Sequence, residues 1–192
     1  MKTYGAILCG GKSTRMGRNK SLLNIHGKKV IEHVNGVLEK ICDHVVLSTN
    51  DFSTYQFMQI PMFADRYVDK GPLAGIESVL YHVDADVFVF SACDTPFISE
   101  QVYDFLIAQL EKFDAVVPVY NKQIHPLSAI YHKRTLLAIQ GQLDKNERRV
   151  KSFFQHINVK YVQDFHPFST DLLDRHFFNM NNPTDYIRAK TF

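Results

Sequence analysis

Two segments, Tyr4 to Cys9 (YGAILC) and Val87 to Ala92 (VFVFSA), are apolar at successive rather than alternate positions. Neighbouring strand side chains point to opposite faces, so such runs bury both faces, as strands of a parallel sheet covered by helices do. The segments around them change period. Val30, Val34, Val37, Leu38 and Ile41 recur at helical spacing, and Val45 to Thr49 reads as the next strand. Gly71 and Pro72 punctuate the chain before a helix over Leu73 to Tyr81. Ser99 is placed to cap a helix running to Phe113, with Val102, Phe105, Leu106 and Leu110 on one face. Ala115 to Val119, Ser128 to Tyr131 and Val159 to Gln163 read as further strands. Arg149 to His156 reads as helical, and Asn182 or Thr184 opens a last short helix. Strand and helix alternate, so the expectation is an α/β fold: three layers, Rossmann-like, with a mostly parallel central sheet. No repeat or linker interrupts residues 1–192, which are expected to form a single domain.

Composition narrows the function. A 192-residue chain with 45% hydrophobic residues can bury a core without staples. A net charge of +2 gives no broad electrostatic footprint for nucleic acid. Cys9, Cys42 and Cys93 are scattered, form no C-x-x-C pair and argue against a disulfide framework or structural zinc. The short apolar run in MKTYGAILCGG does not fit a signal peptide, and no stretch is long enough to span a bilayer. The expected location is the cytoplasm, with neither membrane nor nucleic acid as partner.

The chemistry-bearing segment follows the first strand directly: Leu8-Cys9-Gly10-Gly11-Lys12-Ser13-Thr14-Arg15-Met16-Gly17-Arg18-Asn19-Lys20. In open α/β sheets ligands bind beyond the carboxyl ends of strands. Gly10 and Gly11 let backbone N–H groups approach phosphate oxygens, Arg15 offers a planar fork and Lys20 a mobile charge. Neither G-x-x-x-x-G-K-[ST] nor G-x-G-x-x-G fits this segment. Cys93-Asp94-Thr95-Pro96 ends VFVFSA, and Asp94 there suits Mg²⁺, which takes one or two carboxylates with phosphate oxygens and water. Standing alone, Asp94 would more commonly close an Asx turn. Asp65 and Gly71-Pro72-Leu73-Ala74-Gly75, His125-Pro126, Glu147-Arg148-Arg149-Val150 and Asn179-Met180-Asn181-Asn182-Pro183 complete the set. Taken singly, each reads as a loop, a structural histidine, a solvated helix start and a turn.

Together, in this order, these motifs resemble the molybdenum cofactor guanylyltransferase family over nearly the whole chain, Leu8 to Pro183. The glycine opening and C-D-x-P are shared with sugar-1-phosphate and cytidylyl nucleotidyltransferases; E-R-R-V and N-x-N-x-P narrow the resemblance to the guanylyl branch. The resemblance implies a nucleotidyltransferase fold and transfer of GMP from GTP, with Mg²⁺, to the phosphate of molybdenum-molybdopterin, releasing pyrophosphate. It implies transient contact with molybdoenzymes or other cofactor-biosynthesis proteins. It assigns Leu8, Cys9, Gly10, Gly11, Lys20, Ser48, Asp65 and Asp94 to the nucleotide. Arg15, Lys20 and Asp94 are the catalytic set, Asp94 is the metal ligand, and His125, Arg148, Arg149, Asn179 and Asn181 lie toward the pterin acceptor. Two positions depart from the pattern: Ser48 stands where members often have Asn, and Cys9 replaces the usual Ala. The competing readings are a cytidylyl- or sugar-1-phosphate nucleotidyltransferase, and a nucleotide-binding regulator without catalysis.

Overall fold

The computed structural model describes residues 1–10 and 19–192. Strands and helices follow in chain order as β1 (Thr3–Cys9), β2 (Asn24–Ile25), β3 (Lys28–Lys29), α1 (Val30–Ile41), β4 (His44–Thr49), α2 (Phe52–Tyr55), β5 (Met62–Phe63), α3 (Pro72–His82), β6 (Val87–Ala92), α4 (Glu100–Ala108), β7 (Ala115–Tyr120), β8 (Gln123–Ile124), β9 (Ile130–His132), α5 (Leu136–Asp144), β10 (Val159–Val162), α6 (Thr170–His176) and α7 (Pro183–Ala189). The main sheet runs β10-β7-β9-β6-β1-β4-β5, with β8 paired to β7 alone.

The unbroken apolar strands do bury both faces. Within β1, Ala6 and Leu8 pack with Leu73, Ile76, Val79 and Leu80 of α3, while Ile7 packs with Ile31, Val34 and Leu38 of α1. β6 divides the same way, Phe88 and Phe90 toward α3, Val87 and Val89 toward α1 and α4. Three layers result: α3 and α5 on one face, the sheet, and α1, α4 and α6 on the other. Burying a Leu, Ile or Val side chain contributes about 1.5–3 kcal/mol over leaving it exposed, so Leu73, Ile76, Val79 and Leu80 hold α3, and the loop before it, firmly to the sheet.

β1 pairs in parallel with β4 and β6, β4 with β5, and β10 with β7. β9 runs antiparallel between β6 and β7. The physical reason is the connection: residues 121–129, which include the β8 turn, are too few for the helical crossover that a parallel return needs. Parallel β1, β4 and β6 therefore bring Gly10, Asn50 and Asp94 to one edge of the sheet.

Local differences from the sequence reading have plain causes. α4 stops at Ala108 rather than reaching Phe113, because the chain tightens there (Leu110 N–H to Ile107 O, 3.1 Å) and turns at Glu111, whose φ is +36°. Leu110 stays buried without being helical. The segment Val150–His156 is a 3₁₀ helix, and α5 and α6 add helices to the expected set. Asn182 does open α7, with a reciprocal cap to Asp185 and Pro183 at the first helical position.

Candidate functional site

Two clefts adjoin at the carboxyl edge of the sheet. The first lies over the ends of β1, β4 and β6, against the start of α3. Leu8, Gly10, Ser48, Asp65, Gly75 and Asp94 all border it. Gly75 makes the convergence possible: a Cβ there would stand 2.7 Å from Ser48 Oγ, 3.2 Å from Leu8 Cδ2 and 3.5 Å from Asp65 Oδ1. Gly71 has φ +63° and ψ −154°, a backbone that other residues adopt only under strain, and it sets the turn into Pro72. Asp65 is held by Asn50 in both directions: Asn50 Nδ2 donates to its carboxylate at 2.9 Å, and the Asp65 N–H donates to Asn50 Oδ1 at 2.8 Å. Burial raises the Asp65 carboxyl above its usual range, and the Asn50 donor opposes that shift. Asn50 was not among the sequence candidates. Its position just past β4, on the ligand edge of the sheet, is the signal that could have found it.

Cys9 differs from its neighbours. Alternation along β1 turns its side chain to the α1 face, so only its backbone faces the cleft side. Its replacement of Ala therefore leaves the cleft lining unchanged. Gly11 and Arg15 lie outside the described residues.

At the cleft's far end Asp94 Oδ2 is 3.8 Å from Lys20 Nζ, the two side chains being 20% and 16% exposed. Lys20 Nζ also donates to Asn181 Oδ1 at 3.4 Å. Burial raises the Asp94 carboxyl above its usual range, and the Lys20 charge pulls against that. Lys20 is presented by a short turn, Lys20–Leu22, capped by the Asn19 side chain. Asn19 and Ser21 each bond the Tyr55 hydroxyl at 2.9 Å.

The second cleft has a volume of about 520 Å³, within the ordinary range of ligand pockets. His125, Asn179 and Asn181 border it, with Phe177, whose place the sequence leaves open between pocket and core, and with Tyr120 and Arg188, which sequence reasoning missed. Phe177 stacks on Tyr120 at 5.1 Å and lies 4.5 Å from the His125 ring, an aromatic wall with a buried, unpartnered His125 Nε2. Burial lowers the His125 pKa, so its ring is neutral at pH 7. Asn179 borders both clefts, and Asn181 reaches Lys20, so the first cleft passes into the second beside Asp94.

Arg148 and Arg149 are not brought to either cleft. Both are exposed, and among the described residues Arg149 pairs with neighbouring Glu147 at 3.9 Å, with its side chain 87% exposed. Among the described residues no group of three or more His, Cys, Asp or Glu gathers as a metal site, and Asp94 is the carboxylate paired with Lys20. No helix among them is long and apolar enough to cross a membrane.

A three-layer α/β sheet with glycine turn, lysine and carboxylate gathered at its parallel strand ends is the architecture of a nucleotidyltransferase. Residues 5–162 match the family described as MobA-like NTP transferase domain, and the chain belongs to that family. It is 35% identical over 182 residues, 94% of this chain and 91% of the relative, to a probable molybdenum cofactor guanylyltransferase from Carboxydothermus hydrogenoformans. It is 34% identical to one from Bacillus cereus, covering 98% of this chain and 96% of that one. Among solved structures it resembles molybdopterin-guanine dinucleotide biosynthesis protein A from Archaeoglobus fulgidus, with a TM-score of 0.83 and 26% identity over 98% and 97% of the two chains.

Proposed function

We propose that this enzyme transfers GMP from GTP to the terminal phosphate of molybdenum-molybdopterin, releasing pyrophosphate, with Mg²⁺ as cofactor. The observation that carries this reading is the meeting of two clefts at Lys20, Asp94 and Asn181. A transferase needs two substrates end to end, and the junction of the clefts is the place where a phosphate from each would meet. The names of the relatives favour guanine and molybdopterin.

The acceptor phosphate is already an anion at neutral pH, so no strong general base is required. The new bond joins its oxygen to the α-phosphorus of GTP, and the bond from that phosphorus to the β-bridging oxygen breaks. The barrier comes from bringing anions together and from charge on the leaving pyrophosphate, so catalysis is positioning plus electrostatics. Lys20 supplies positive charge at the junction, Gly10 leaves its backbone open to phosphate, and Asp65 with Ser48 borders the other end of the nucleotide cleft. Arg15 and Gly11 would add a fork and a backbone donor on the leaving side. Arg148 and Arg149, exposed beside α5, would meet only the outer part of an acceptor.

The donor chemistry fits Mg²⁺. Asp94 offers a hard carboxylate and Asn179 an amide oxygen on one cleft, and the remaining positions belong to phosphate and water. Bound there, the ion would neutralise developing charge between the phosphates. The rival readings separate cheaply by thermal shift with GTP, CTP and UTP, each with and without Mg²⁺. Ligand at 100 times its Kd stabilises by about 2.7 kcal/mol, a rise of roughly 5–10 °C for a chain of this size. The expectation is a rise with GTP that needs Mg²⁺, followed by pyrophosphate release on adding molybdopterin. A response to CTP alone would reassign the base, and nucleotide binding with no pyrophosphate release would favour the regulator.

A further inference from the structure

Cys9 ends β1 and Cys93 immediately follows β6, and these strands are parallel neighbours with Leu8 opposite Ala92. One step further along the ladder the two cysteines stand side by side, the Cys93 N–H donating to the Leu8 carbonyl at 3.2 Å. Both thiols are free and half-buried, and both pack on the α1 face of the sheet. Both side chains pack in the same cluster as Tyr55. Neighbouring strands lie about 4.7–4.9 Å apart, inside the Cα separation of about 4.4–6.8 Å that a disulfide spans.

Each cysteine is bonded to a residue of the nucleotide cleft: Cys9 precedes Gly10, and Cys93 precedes Asp94. The Tyr55 hydroxyl holds Asn19 and Ser21, the two residues flanking Lys20. Nothing in the nucleotidyl transfer uses either sulfur, and the family opening carries Ala at position 9.

We propose that Cys9 and Cys93 are a redox pair that closes to a reversible disulfide, and that closure weakens nucleotide binding in the adjoining cleft; this second half rests on the nucleotide reading above. The oxidant is a small-molecule disulfide of the oxidised-glutathione type. Cys93, which borders the cleft, attacks it as the thiolate and releases one small thiol; Cys9 sulfur then displaces the second, leaving the Cys9–Cys93 bond. Two cysteine thiols are oxidised, one small disulfide is reduced, and the two protons end on the two released thiols. Cys93 borders the cleft and Cys9 does not, so Cys93 meets the small disulfide first and Cys9 resolves the mixed disulfide. An S–S bond of about 2.05 Å brings the two sulfurs to bonding distance and repacks Cys9 against Tyr55. Gly10, Asp94 and the Lys20 turn then shift relative to one another, and hydrogen bonds to phosphate oxygens weaken steeply once their distance and angle are lost.

The test equilibrates the purified full chain with oxidised glutathione, maps disulfides by mass spectrometry without reduction, counts free thiols, and measures Mg²⁺-GTP affinity before oxidation, after it and after dithiothreitol. The expected result is a Cys9–Cys93 linked peptide and a fall from the three thiols of the chain to one. GTP affinity should drop at least tenfold and recover on reduction. Cys42→Ser should retain the whole response. Cys93→Ser should show no affinity difference between its own oxidant-treated and reduced samples. Three thiols persisting under oxidant, or a bridge through Cys42, overturns the pairing. A mapped Cys9–Cys93 bond with unchanged affinity overturns the control. If the reduced protein binds none of GTP, CTP or UTP, the nucleotide reading fails and the control falls with it, while the mapped peptide still decides the pairing.

Discussion

Asp94→Asn keeps the shape of the side chain beyond β6 and removes its charge. Lys20 and Asp94 stand 3.8 Å apart, which at an effective dielectric of about 20 is an attraction of roughly 4 kcal/mol. Burial outweighs it, because the Asp94 carboxyl is held above its ordinary range with burial the largest cause and Lys20 the opposing one. A carboxyl raised in the folded chain contributes stability that is present below its unfolded pKa and lost as pH rises through the folded value. At pH 7 ionised Asp94 is therefore a net cost to the fold, and a neutral amide removes that cost. The expected Tm of Asp94→Asn at pH 7 equals or exceeds that of the parent. Lys20→Met should do the reverse, stranding a mostly buried carboxylate at a cost of about 1–3 kcal/mol, less than for a fully buried pair since a fifth of Asp94 is exposed. In Asp94→Asn turnover should move oppositely to stability, whereas in Lys20→Met both should fall. Losing the charge that organises the phosphates should lower kcat at least ~100-fold, about 2.7 kcal/mol of barrier. Calorimetry and pyrophosphate release, read on the same preparation, check both halves. A variant that melts well below the parent, or that turns over GTP normally with saturating Mg²⁺, would falsify the reasoning.

Gly75→Ala places a Cβ 2.7 Å from Ser48 Oγ; overpacking of about 1–3 kcal/mol is offset by about 1 kcal/mol of helix propensity, so the fold should survive while nucleotide Kd rises at least ~10-fold, and an unchanged Kd in titration calorimetry would count against the cleft. Phe177→Ala removes the stack on Tyr120 and His125 and should raise acceptor KM roughly tenfold, given about 0.5–1.5 kcal/mol per aromatic pair, with nucleotide affinity unmoved; Arg149→Ala, at an exposed position, should move acceptor KM less. His176 is fully buried, its Nδ1 accepting the Ser99 N–H at 2.9 Å, and burial pushes its pKa from 6.5 down to about 3. Its neutral form stabilises the fold above pH 6.5 and that contribution is lost as pH falls, by about 2 kcal/mol between pH 6.5 and 5. Urea titrations at the two pH values should show this loss in the parent and a flatter profile in His176→Gln.

The strands and helices that define the sheet were legible because their chemistry is local. YGAILC and VFVFSA announce burial on two faces, and Gly71-Pro72 and Asn182-Pro183 announce where helices begin. The antiparallel β9 was not legible as such, since orientation depends on the shortness of residues 121–129 rather than on the composition of IYH. α5 escaped because LLAIQGQLD carries a glycine and no capping side chain. In the site, Leu8, Gly10, Ser48, Asp65 and Asp94 do converge, as strand ends in parallel register must. Asn50 could have been found from its place just past β4, whereas Tyr120 and Arg188 were hidden because each gains its place from a tertiary neighbour. Arg148 and Arg149 are a different case: cationic type suggested an anion clamp, and their loop after α5 leaves both exposed, apart from the two clefts.

The stretch Phe178 to Asn182 explains how two clefts can be held to one geometry. Phe178 and Met180 are buried against Ile25, Val30 and Ala189, while Asn179 and Asn181 between and beyond them are exposed. That alternation presents both asparagines on one side, with the alternate residues anchored in a small separate core. The Met180 N–H donates to the Asp94 carbonyl at 3.0 Å, and the Asp185 carboxylate accepts from the N–H groups of Asn181 and Asn182. The lining of the second cleft is thus bolted by backbone to Asp94, which borders the first. A reaction governed by positioning needs this rigid link more than it needs any one charged side chain, because two anionic substrates gain nothing from binding tightly in places that do not meet.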